Sequence, residues 1–88
     1  MQLTNTQLQI VLYSLRSVES KRIRPILRLM DKSERNPYTT QDIPEKFRIL
    51  IESKLKQYRS NLATLSFNKM NGDFIKQTIE QIDKILTK

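Results

Sequence analysis

Lys21, Arg24, Arg28, Lys32 and Arg35 recur at steps of three, four, four and three residues. On a continuous helix that spacing lines them along one side, with neighbouring charges about 5–6 Å apart. A row of guanidinium and ammonium groups at that pitch can hold anions in a line, and a sugar-phosphate backbone is such a line. Each phosphate neutralised on duplex DNA releases counterions and adds about −0.9 to the salt slope of binding. Arg48, Lys56 and Arg59, further along the chain, are expected to add to the same field. The competing reading is a solvated helix face, partly offset by Asp31 and Glu34.

Other chemistry has little to work with. The chain has no cysteine and no histidine, so thiolate and imidazole metal ligands and the usual neutral-pH general base are missing. The acidic residues are scattered, and several have structural tasks. Asp42 and Asp73 are read as helix caps and Glu45 as a capping-box partner. Glu80, four residues from both Lys76 and Lys84, is read as a surface ion-pair partner. No phosphate loop, Glu-x-x-His pair or activated nucleophile pattern occurs. The expectation is a protein that is not an enzyme and needs neither cofactor nor metal.

Lys21-Arg22-Ile23-Arg24-Pro25-Ile26-Leu27 resembles the basic segment with which isoprenyl diphosphate synthases, all-helical enzymes, grip a diphosphate. The resemblance covers these residues alone. The aspartate-rich motifs by which that family holds magnesium have no counterpart here, and the chain is too short for its fold. The family's activity is therefore not carried over.

Net charge is +7 and the sequence pI is about 10.0, a balance that favours anionic partners. The charge is concentrated. Residues 1–15 carry none, residues 16–35 hold seven basic and three acidic groups, and residues 72–88 hold three of each. The longest unbroken apolar stretch runs from Ile10 to Tyr13, far short of the ~20 residues a membrane span needs. Membrane association is not expected, and without a secretion-signal pattern the expected location is cytoplasmic.

One glycine and three prolines punctuate the chain, too few turns for a sheet protein of this size. The pattern predicts an all-α fold, a small helical bundle in one domain. Thr4 and Gln7 form a capping box that starts a helix over about residues 5–33. Leu8, Val11, Leu12, Leu15 and Val18 are its buried face, resumed by Ile26, Leu27 and Met30. Pro25 lacks an amide donor and clashes with the carbonyl of Lys21, so this helix is expected either to bend and continue or to break near residues 20–25 and restart with Pro25 in its first turn. A loop follows over residues 34–41, where Tyr38 could form a docking tip with Asn36, Pro37, Thr39 and Thr40 but is expected to fold back over the end of the core. Asp42 and Pro44 then open a helix over about residues 43–69. Asn71-Gly72 supplies a left-handed turn, and a last helix runs over about residues 74–87. Ile51, Leu55, Tyr58, Leu62 and Leu65 face Ile75, Ile79, Ile82 and Leu86 across an antiparallel helical hairpin.

An 88-residue chain buries little more than ~60% of its unfolded surface, so a homodimer is expected to supplement the core. The functional expectation is a small basic interaction protein. It binds nucleic acid or an acidic protein surface through Lys21, Arg24, Arg28, Lys32, Arg35, Arg48, Lys56 and Arg59. The second expectation is a protein-docking regulator or inhibitor that acts through exposed helix faces. A small basic chain rich in lysine and isoleucine suits a phage or mobile-element gene.

Overall fold

The computed structural model describes residues 1–65 and 72–88. The fold is all-α, a small helical bundle with one minimal sheet. In order it comprises β1 (Gln2–Leu3), α1 (Asn5–Ser14), a 3₁₀ turn (Ser20–Arg22), α2 (Arg24–Arg35) and β2 (Gln41–Asp42). A second 3₁₀ turn (Glu45–Phe47), α3 (Arg48–Leu65) and α4 (Gly72–Leu86) complete it.

The capping box forms as expected. Thr4 Oγ1 accepts from the Gln7 amide at 3.2 Å, and Gln7 Oε1 accepts from the Thr4 amide at 3.1 Å. Two donors that every helix start leaves open are thereby satisfied. The end of α1 comes earlier than the apolar spacing suggests. Ser14 Oγ donates back to the Val11 carbonyl at 2.6 Å, and Arg16 Nη1 donates to the Tyr13 carbonyl at 2.9 Å. The Val11 carbonyl still takes its helical bond from the Leu15 amide at 3.1 Å. Later amides turn to i−3 partners, Arg16 to the Tyr13 carbonyl at 3.2 Å and Val18 to the Leu15 carbonyl at 2.9 Å, the tighter pattern of a helix end. The chain leaves helix over residues 15–19, makes a single turn at Ser20–Arg22 and restarts at Arg24.

Pro25 therefore kinks nothing. It sits at the start of α2, where its missing amide costs no bond and its fixed φ suits the first turn. The break is also wider than residues 20–25 and begins before them. Val18 and Ile23, inside it, still turn toward the core, which is why the apolar spacing looked continuous.

The sheet was not foreseen. β1 pairs antiparallel with β2, with Gln2 opposite Asp42 and Leu3 opposite Gln41. The Ile43 amide donates to the Met1 carbonyl at 2.8 Å, and the Met1 ammonium meets Asp42 Oδ1 at 3.0 Å. Asp42 is thus not a helix cap, and Glu45 is not its capping-box partner. Pro44 precedes the short 3₁₀ turn, with no side-chain cap, and α3 starts only at Arg48. Tyr38 does not fold back either: it is 96% exposed.

Arg48, at the start of α3, donates to the Lys88 carbonyl at 3.1 Å, and Arg59 pairs with Asp83 on α4. Those contacts fix α3 and α4 as an antiparallel hairpin. Ile51, Leu55 and Leu62 form its buried line on α3, but Leu65 is 51% exposed. On α4 the inner line is Ile75, Thr78, Ile82 and Ile85 instead of Ile75, Ile79, Ile82 and Leu86. The reason is that α4 packs against α1 as well as α3, which turns its buried face toward α1. The expected end of α3, to residue 69, and Asn71 of the expected turn lie outside the described residues. Gly72 itself begins α4, so it is helical and not a left-handed cap.

Leu3, Leu8, Val11, Leu15 and Ile26 join Ile43, Ile51, Leu55, Ile82 and Ile85 in one core. Fully burying each such side chain contributes roughly 1.5–3 kcal/mol. Among the described residues no helix is long and apolar enough to cross a membrane.

Candidate functional site

The buried side of α2 is set by Ile26, Met30 and Ser33. Ser33 is fully buried, and its hydroxyl accepts from Asn5 Nδ2 of α1 at 2.9 Å. With that side held against α1, the opposite side is fixed in solvent. At 3.6 residues per turn, Arg24, Arg28, Lys32 and Arg35 fall within an arc of about 80° centred opposite the buried line. All are exposed. Ion pairs to Asp or Glu form elsewhere among the described residues, but none involves these four side chains. From first to last they span about 16 Å of helix. Over that distance one B-DNA strand presents roughly five phosphates.

The other expected anion-binding residues divide. Lys21 lies on the turn ahead of α2, with Glu19 Oε2 at 3.5 Å, so it is not on the helix that carries the row. Arg48 is committed within the chain. It makes two hydrogen bonds with Glu45, one of them at 3.2 Å, and approaches Glu52 Oε1 at 3.8 Å. Arg59 forks onto Asp83 at 2.7 and 3.2 Å. Hydrogen bonding from the guanidinium holds each partner carboxyl, Glu45 and Asp83, below its ordinary value. Both arginines are correspondingly held more firmly protonated, chiefly by the same bonds. Lys56 is exposed on α3 and outside these pairs. The structure thus gathers Arg24, Arg28, Lys32 and Arg35 and separates the rest. Glu80 forms no ion pair with Lys76 or Lys84.

A second feature escaped the sequence reading. An open cleft of about 630 Å³ lies between α1, α3 and α4, lined by Ile10, Tyr13, Tyr58, Phe74, Gln77 and Gln81 among others. The Tyr13 and Tyr58 rings pack at 5.1 Å between centroids, tilted by 48°. Arg16 lies over the Tyr13 ring at 4.4 Å. Burial raises the Tyr58 phenol pKa, helped by Tyr13 and opposed by Arg16. Tyr58 sits half-buried in the α3 seam, as its heptad spacing predicts, but its ring also forms the cleft wall. No linear spacing links these aromatics, because they come from three helices.

Among the described residues no three acidic side chains gather as a metal site would require. No protein-family model, curated protein or solved structure matches the chain.

Proposed function

We propose that this protein binds nucleic acid through the phosphate backbone, using the outer face of α2, and does no chemistry on what it binds. The observation that carries the reading is the row Arg24, Arg28, Lys32 and Arg35, exposed opposite a locked buried face and outside the ion pairs of the described residues. Lysine and arginine used in this way position a protein on a backbone without reading sequence. The overall charge of +7 draws the same partner over longer range. As part of the same proposal the protein works in the cytoplasm, as a homodimer whose second copy doubles the phosphates engaged.

Fluorescence anisotropy with a labelled duplex tests this. Arg24→Glu combined with Arg28→Glu should weaken binding at least tenfold while circular dichroism stays unchanged, since both side chains are solvated. Unchanged affinity in that variant would remove α2 from the interface.

The alternative, a protein-docking regulator or inhibitor, draws on one observation. Ile49 is 83% exposed on α3, so a large aliphatic side chain is open to a partner there. Docking there would tolerate salt and respond to Ile49→Lys, not to the α2 charges.

A further inference from the structure

We infer that the cleft between α1, α3 and α4 receives an unpaired nucleobase of a single strand, with the adjoining phosphate held by Arg16 and Lys54. This rests on the nucleic-acid reading above and gives it a second contact, on elements other than α2.

The cleft's volume of about 630 Å³ is large enough for a nucleotide, within the ~300–1,000 Å³ of typical small-ligand sites. Phe74 is 62% exposed on its edge and Tyr13 is 53% exposed, so two aromatic rings face water. A base stacked on such a ring removes apolar area from water whatever its identity. Tyr13 and Tyr58 pack against one another in the lining of the same cleft.

Amides border the rings. Gln81 Oε1 accepts from Gln7 Nε2 at 3.3 Å, which leaves the Gln81 amide N–H groups to donate. Gln77 lines the same cleft. Carboxamides offer both a donor and an acceptor, as the edges of the bases do.

The charge is placed to match. Tyr58 also lines a smaller adjoining recess, together with Arg16 and Lys54. The Arg16 guanidinium lies over the Tyr13 ring and donates to the Tyr13 carbonyl, and Lys54 donates to Ser17 Oγ at 3.4 Å. Neither is in an ion pair among the described residues, so both are available to a phosphate. Glu80, on the α4 rim of the cleft, disfavours phosphate there and directs the backbone toward the cationic side.

The test compares three labelled probes on the full chain: a twelve-nucleotide thymidine strand, an abasic strand of the same length, and a twelve-base-pair duplex. The thymidine strand should bind roughly fivefold or more tightly than the abasic one, the gain expected of a stacked base. Phe74→Ala should abolish that difference and leave duplex affinity within about twofold, whereas the α2 double reversal lowers all three. Arg16→Gln, also at an exposed position, should weaken both single strands. Equal binding of thymidine and abasic strands would overturn the base site and leave the α2 reading standing. Absence of binding to every probe would overturn both.

Discussion

Asn5 Nδ2 donates to Ser33 Oγ at 2.9 Å, across 28 residues of sequence, and with the burial of Ile26 and Met30 this bond sets which side of α2 faces outward. Ser33 is the one polar residue in the buried line of α2, between Met30 and the end of the helix. A rotation of α2 would take Ser33 from Asn5 and carry Arg24, Arg28, Lys32 and Arg35 toward α1. The hydroxyl–amide pair thus links the packing of the first two helices to the direction of the positive charge.

Loss of that pair is measurable as a coupling. Ser33→Ala strands the Asn5 donor and should cost about 1 kcal/mol, a fall in Tm of about 4–8 °C for a domain of this size. In a cycle with Asn5→Ala, the double variant should lose clearly less than the sum of the singles. Additivity would mean that the two residues do not support one another.

Thr4→Ala removes the acceptor of the α1 capping box. It should destabilise the fold by about 1 kcal/mol, read from chemical denaturation with an unchanged slope against denaturant. Thr4→Ser should retain most of the stability.

Pro25→Ala distinguishes a proline that breaks a helix from one that opens a helix. Since α1 ends at Ser14, well before Pro25, and a separate turn at Ser20–Arg22 lies between it and α2, alanine at 25 should not fuse α1 with α2. Helical ellipticity should stay constant, and stability should fall by about 0.4–1 kcal/mol as the unfolded chain gains freedom. A rise in helicity would show that the proline enforces the break.

The Arg59–Asp83 pair gives a pH dependence of known sign. Arg59 lowers the folded-state pKa of Asp83 from the ordinary 3.8. Its stabilising contribution is therefore complete above that value and is lost as pH falls below it through the folded-state pKa. Wild type should be slightly more stable than Asp83→Asn at neutral pH, and the gap should close in acid below about pH 3.8. Both side chains are solvated, so the gap is small. A gap that persists in acid would point to some other role for Asp83.

What the sequence made legible was mostly local. Thr4 and Gln7 lie within one helical turn, so their capping box could be read directly. The core faces of α1, α2 and α3 follow the helical period. Asp42 was misread because its partner, the Met1 amino group, lies 41 residues away and a helix start was the nearer explanation. Arg59 looked free for the same reason, with Asp83 on another helix. Glu45 lies within reach of Arg48 at three residues, but the Asp-x-x-Glu spacing points equally to a cap, which does not form. Lys21 joined the cationic row only while α1 and α2 were read as one helix. The aromatic cleft was invisible because α1, α3 and α4 bring Tyr13, Tyr58 and Phe74 together from distant positions.

The salt dependence of duplex binding tests the role of α2 most directly. Four phosphate contacts give a slope of log affinity against log salt of about −3.6, or roughly 150-fold weaker binding from 50 to 200 mM. With Arg24→Glu and Arg28→Glu the magnitude of the slope should fall by about two. A slope near zero in the wild type, or one unchanged in the variant, would contradict a phosphate-binding face on α2.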